Sequence, residues 1–87
     1  MQKVERILKA LANKRRLAIL WYLKREKEAT VGQIGKEIKL SLKATSKHLN
    51  ILHAADIVER DQRGLQMFYR ISIKPHHLVA YISNSRE

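Results

Sequence analysis

The stretch Ser41–Ala55, SLKATSKHLNILHAA, restricts the fold more than any other part of the chain. Read at helical spacing, it separates into two faces. Thr45, Leu49 and Leu52 recur at i, i+4 and i+7, the stripe of a helix pressed onto a core. Lys43, Ser46, Lys47 and Asn50 recur at i, i+3, i+4 and i+7 on another side, with no acid and no large apolar residue among them. Long cationic donors and short hydroxyl or amide groups are the side chains that read base edges in a major groove. The plainer reading of the same face is a solvated surface, which most lysine-bearing helices present.

The residues just upstream favour the first reading. Thr30 with Gln33 three residues on is a capping box, and Val31, Ile34 and Ile38 follow at i, i+3 and i+7, which predicts a short helix over Val31–Ile38. Gly32 and Gly35 would each weaken an isolated helix by about 1 kcal/mol relative to Ala, so a glycine at position 35 suggests that another helix crosses closely there. Lys39–Leu40 leaves space for only a tight connection, and Ser41 can cap the next helix. Two helices joined by a short turn, the second with a polar and basic face, describe a helix-turn-helix.

What lies on either side completes a domain. Residues 2–12 read as an amphipathic helix with Val4, Ile7, Leu8 and Leu11 on one face. Asn13 is placed to cap a second helix over about 14–25, apolar nearly all round from Leu17 to Leu23 and therefore expected at the centre of the core. Its first turn, Lys14, Arg15 and Arg16, sets cations at the positive end of the helix dipole, each unfavourable by a few tenths of a kcal/mol. They are either tolerated surface charge or a cluster kept for phosphates.

After the two-faced helix, Asp56 stands where a left-handed residue is needed. Ile57–Asp61 and Leu65–Ser72 are β-rich runs around Gln62-Arg63-Gly64, and the second alternates with the period of a strand, so a β-hairpin, or wing, is expected. Pro75 suits the first position of a last helix, roughly 75–84, carrying Leu78, Val79, Tyr81 and Ile82. The tail Ser85–Glu87 is expected to fray. The fold class is thus mainly α with a small β-hairpin, a single winged helix-turn-helix domain over residues 1–87 in the order α-α-α-α-β-β-α.

Composition narrows the partners. Eighty-seven residues give one modest core, and the formal net charge of +10 favours a polyanion: DNA, RNA or an anionic membrane. No apolar run approaches the ~20 residues of a spanning helix, and the N-terminus lacks the apolar core of a signal peptide. With no cysteine there are no disulfides or thiolate metal sites, which fits a cytoplasmic protein. With no nucleophile–base pairing and no Gly-rich phosphate loop, no enzymatic activity is expected.

The wording Leu8-Lys-Ala-Leu-Ala12, then Arg16-Leu-Ala-Ile-Leu20, Ser46-Lys-His-Leu49, Leu52 and Tyr69 resembles the ArsR-type transcription regulators, over about Val4 to Ile71. The resemblance implies a homodimeric repressor whose first and last helices dimerise and whose recognition helix begins near Ser41. Dimer contacts would then fall near Val4, Ile7, Leu8, Leu11, Leu78, Val79, Tyr81 and Ile82. The chain departs from the family's pattern at Asn13-Lys14, where Asp-Pro is frequent, at Asp56, where Gly is usual, and at Leu42 and Lys43, where small or amide residues stand. The last two alter the reading face, so an operator sequence does not carry over.

The family's metal sensors use Cys-x-Cys, absent here, or His and Asp along the last helix, of which only His76 and His77 remain. Adjacent helical residues diverge by about 100°, so these two cannot chelate one ion together, and no metal or cofactor is expected. The candidate contacts with double-stranded DNA are Ser41, Lys43, Thr45, Ser46, Lys47, His48 and Asn50 on the recognition helix, Arg60 and Arg63 on the wing, and Lys14 and Arg15. Base readout is expected from Lys43, Ser46, Lys47 and Asn50, and phosphate or minor-groove contact from Arg60 and Arg63. Rival readings are a winged-helix module for an acidic protein partner and an RNA binder, the latter disfavoured by the lack of an exposed aromatic platform.

Overall fold

A computed structural model describes residues 2–85. Its elements are α1 (Gln2–Leu11), α2 (Lys14–Glu26), β1 (Ala29–Thr30), α3 (Val31–Ile38), α4 (Leu42–Ala54), β2 (Val58–Arg63), β3 (Gln66–Ile71) and α5 (His77–Ser83). Helix starts follow from local chemistry. Asn13 Oδ1 accepts from the Arg15 and Arg16 amides at 2.9 and 3.1 Å, satisfying two of the orphan donors at the start of α2. Thr30 and Gln33 form the capping box in both directions, at 3.2 and 2.9 Å. Ser41 Oγ accepts from the Ala44 amide at 3.1 Å and starts α4.

The turn between α3 and α4 depends on Lys39, whose φ of 59° is left-handed and carries the Leu40 amide back to the Gly35 carbonyl at 3.0 Å. At the end of α4, Asp56 is left-handed as well, with φ 59°. Its amide reaches the His53 carbonyl and the Ile57 amide reaches Leu52, both at 3.0 Å. This is the Schellman arrangement, and its apolar clasp is present because Leu52 and Ile57 are both fully buried.

The core gathers Ile7, Ala10 and Leu11 of α1, Ile19, Leu20 and Leu23 of α2, Ile34 and Ile38 of α3, Leu49 and Leu52 of α4, then Ile57, Val58, Tyr69 and Val79. Helix α2 is the central one, with Leu17, Ala18 and Tyr22 also packed against this cluster. Where α3 crosses α4, a Cβ added to Gly35 would stand 3.0 Å from Thr45 Oγ1 and 3.1 Å from the Leu40 carbonyl oxygen. The crossing therefore needs a glycine for contact, as its position suggested.

Several boundaries differ from expectation. The wing is part of a three-stranded antiparallel sheet ordered β1-β3-β2, because Ala29 and Thr30, inside what reads as a charged connection, pair with Tyr69 and Phe68. Two residues with one apolar side chain carry no alternation, so β1 is set by the β3 edge it meets. The hairpin is tighter than predicted. Pairing continues to Arg63↔Gln66, leaving Gly64-Leu65 as a two-residue turn with positive φ at Gly64 alone, the type II′ pattern that matches strand twist. The last helix begins later, because His76 Nδ1 accepts from the Leu78 amide at 3.1 Å and caps it, with Pro75 outside. Of the tail expected to fray, Arg86 and Glu87 lie outside the described residues. Ser85 is held by its amide on the Ile82 carbonyl at 3.0 Å. Among the described residues no helix is long and apolar enough to cross a membrane.

The two stripes assigned to dimerisation divide. Ile7, Leu11 and Val79 belong to the chain's own core, and Val4, Leu78 and Ile82 are half-buried, while Leu8 and Tyr81 stay outside at 49% and 73% exposure. Each stripe is wide enough for two neighbours, so part of it turns to the core and part stays outside. Leu8, Leu11, Ala12, Leu17, Trp21, Ile82 and Ser85 line an open apolar groove of about 430 Å³ between α1, α2 and α5. The Trp21 indole donates to the Ile82 carbonyl at 2.9 Å and fastens α5 beside it.

Candidate nucleic-acid interface

The predicted reading face of α4 is present as a surface. Lys43, Lys47 and Asn50 are exposed and Ser46 is half-buried between them, with Ser41 and Leu42 at the leading end. Helix α4 has no acid. Among the described residues Lys39, Lys43, Lys47 and Arg60 have no carboxylate partner, although Glu5, Glu26, Glu28, Glu37, Glu59 and Asp61 are all in ion pairs elsewhere. Those six acids are engaged by other cations, which leaves the cations of this face available.

Thr45 is a correction. It is completely buried against Gly35, and its hydroxyl has no hydrogen-bond partner, so it cannot touch DNA. Its place in the i, i+4, i+7 stripe already assigned it to the core. His48 is half-buried and joined to Arg16, whose Nη1 donates to His48 Nδ1 at 3.2 Å. Burial first, and then the charges of Arg16, Arg15 and Lys47, push His48 below its ordinary pKa. Both effects favour the neutral ring, whose Nδ1 accepts from Arg16 and ties α4 to α2.

The basic first turn of α2 also resolves. Arg15 Nη1 donates to the Ile38 carbonyl at 2.9 Å, at the end of α3. Arg16 Nε donates to the Ala10 carbonyl and Nη2 to the Lys9 carbonyl at 3.5 Å, at the end of α1. Both arginines satisfy last-turn carbonyls of neighbouring helices, where cations are favoured. Arg15 is therefore a half-buried structural contact, and only Lys14 of the three is exposed. No sequence signal distinguishes these roles, because the partners lie 6 to 23 residues away.

On the wing, Arg60 stands beside the reading face and donates to Asn50 Oδ1 at 3.3 Å. Arg63 differs. Its Nη1 and Nη2 grip the Glu28 carboxylate at 2.9 and 2.8 Å, its Nε donates to Asp61 at 3.0 Å, and its guanidinium lies 4.4 Å from the Phe68 ring centre. Asp61 and Phe68 oppose each other two residues below the end of the hairpin, so Arg63 folds back from the tip. The same contact holds the Glu28 carboxyl below its usual pKa, and the two acids raise that of Arg63. These pairings engage, within the chain itself, the guanidinium that sequence assigned to phosphate. What sequence reading missed is Glu28, which is adjacent to a strand that gives no local signal.

His76 caps α5 through Nδ1, and His77 lies beside it with ring centres 5.3 Å apart. Among the described residues no group of three or more His, Cys, Asp or Glu is placed to hold a metal ion.

The helix-turn-helix domain family matches residues 11–61. The transcriptional activator HlyU of Vibrio cholerae is 38% identical over 66 residues, 76% of this chain and 60% of HlyU, so the match spans less than two thirds of that relative. The solved HlyU structure superposes with a TM-score of 0.83 at 34% identity, covering 95% of this chain and 87% of that one. A homodimeric winged helix-turn-helix DNA-binding domain from Mycobacterium bovis, described as a possible ArsR-family regulator, gives the same TM-score and identity over 95% and 73% of the two chains. The transcriptional repressor PagR of Bacillus anthracis gives 0.80 at 26% identity over 95% and 92%. With the domain matched across its helix-turn-helix and the whole fold superposed, the chain belongs to the winged helix-turn-helix transcription regulators of the ArsR type.

Proposed function

We propose that this protein binds double-stranded DNA in a sequence-dependent way, as a cytoplasmic homodimer acting on an inverted-repeat operator to repress transcription. The observation that carries the reading is the acid-free face of α4, with Lys43, Lys47 and Asn50 exposed on a helix that Gly35, Thr45 and the His48–Arg16 contact hold rigidly. A helix placed this way enters the major groove, and Lys and Asn have the donor patterns for guanine and adenine edges. Selection of duplexes by the purified protein tests it. One duplex class should be enriched, with affinity falling steeply as salt rises. Equal retention of all duplexes, or tighter binding of single-stranded RNA, would refute it.

The second copy belongs on the groove between α1, α2 and α5, which exposed Leu8 lines, with exposed Tyr81 next to the lining residue Ile82 in α5. A two-fold pairing there sets two recognition helices about 34 Å apart, one DNA turn. Leu8→Glu with Tyr81→Glu touches no core residue, so the variant should fold, become monomeric by light scattering and lose operator affinity. A folded dimer would place the interface elsewhere. Because HlyU is an activator, activation is the second reading. Transcription in vitro from a promoter bearing the selected site separates the two by its sign.

A further inference from the structure

The cation at the wing tip is paired within the chain. Arg63 is turned back onto Glu28, Asp61 and Phe68, and the amide of Gln62 donates to the Gly64 carbonyl at 3.3 Å, closing the turn on itself. What projects is Leu65, 102% exposed, at the second position of a tight type II′ turn where it packs on nothing in its own chain. The hairpin carrying it is not adrift. Arg60 meets Asn50 of the reading face, and the double grip of Arg63 on Glu28 fixes the outer end of β2 to the residue before β1.

From Arg60 to the turn is four to five residues, roughly 13–17 Å at about 3.4 Å per residue. That is comparable with the ~12 Å width of the major groove in which α4 would lie. A hairpin of that reach, with α4 in the major groove, is long enough to carry its tip past one phosphate backbone towards the neighbouring minor groove.

We infer that Leu65 is the minor-groove contact of this protein, an apolar tip pressed against a base step rather than an arginine held by the groove's negative potential. The inference rests on the DNA-binding reading above. It has a consequence for sequence choice. A narrow A-tract groove attracts cations, whereas an apolar side chain that leans on or between bases favours steps that unstack readily, TA and CA/TG. The wing would therefore select a flexible pyrimidine–purine step flanking the sequence read by α4.

The test uses the full-length protein and the duplex that it selects, with the wing-facing step either kept or replaced by a stiff A-tract. Leu65→Ala should bind the selected duplex about tenfold more weakly and lose the distinction between the two flanks. Leu65→Arg should prefer the A-tract and steepen the salt dependence by about one unit. Both variants should keep the wild-type circular dichroism, since Leu65 supports no packing. Wild-type affinity and flank preference in Leu65→Ala would overturn the inference, as would an equal loss on both flanks, which marks a backbone contact. If the wild type prefers no duplex at all, the DNA-binding reading itself has failed, and the inference with it.

Discussion

Among the described residues, helix α4 leaves both of its lysines unpaired, whereas the wing pairs two of its three arginines with acids. On α4, Lys43 and Lys47 stand clear of every acid among the described residues. On the sheet, Arg63 is matched by Glu28 and Asp61, and Arg70 by Glu59, its cross-strand neighbour, at 3.2 Å. The same division runs through α2, where Arg15 and Arg16 close the ends of two other helices while Lys14 stays in solvent. Net charge therefore says that a polyanion is a fitting partner, and only the placement of the acids says which surface meets it. Lysines supply most of the open face, with Arg60 at its edge, and Arg15, Arg16, Arg63 and Arg70 make contacts within the chain. This follows from the planar guanidinium, which can satisfy several fixed acceptors at once.

The largest test of that division replaces one set and then the other. Lys47→Ala should cost about 1–3 kcal/mol on the preferred duplex and relax specificity, with Lys43→Ala similar. Arg63→Ala is the contrast. Its charge is already balanced by two carboxylates, so titrations across a salt series should show an unchanged slope, while amide exchange of the hairpin speeds up. A shallower slope for Arg63→Ala would mean that the ion pairs open on DNA and that the division between face and wing is not real.

The second test sharpens the comparison at the point where the reading face is held. A Cβ at position 35 meets Thr45 Oγ1 and the Leu40 carbonyl oxygen at 3.0 and 3.1 Å, and the latter is backbone that cannot turn aside. Gly35→Ala should destabilise the fold by about 1–3 kcal/mol, read by denaturant titration, and weaken duplex binding because α4 is pushed off α3. Thr45→Val, which removes a buried hydroxyl without a partner, should be neutral or stabilising. Loss of stability in Thr45→Val would show that the hydroxyl is satisfied in solution.

Most of the helical frame was legible because its signals are local. The Thr30–Gln33 capping box, the caps at Asn13 and Ser41 and the left-handed Asp56 each act within a few residues. The polar face of α4 was legible too, since helical periodicity puts Lys43, Ser46, Lys47 and Asn50 together whatever surrounds them. What sequence could not give was every feature decided by a distant partner. Strand β1 exists through β3, Arg63 is neutralised by Glu28 35 residues away, and Ile7, Leu11 and Val79 turn inward because other helices meet them. Thr45 appeared both as a core position and as a DNA contact, and burial decides for the core.

The smallest expected effect concerns the one titrating group between the two sets of cations. His48 accepts from Arg16 on one side and borders the reading face on the other. Its pKa is lowered by burial and then by Arg16, Arg15 and Lys47. A histidine held below its ordinary value of 6.5 binds fewer protons when folded than when unfolded. Its contribution is therefore present above about 6.5 and is lost as the pH falls through that value towards the lowered one. Denaturant midpoints should decline between pH 8 and pH 5.5 in the wild type. In His48→Gln, whose amide oxygen can still accept from Arg16 but does not titrate, the decline should be shallower. The carboxyl of Glu28 titrates below its ordinary 4.5, held there by Arg63, so the wing clamp does not open in this window. An identical decline in both proteins would assign the pH dependence to another group and leave His48 as a spacer between α2 and α4.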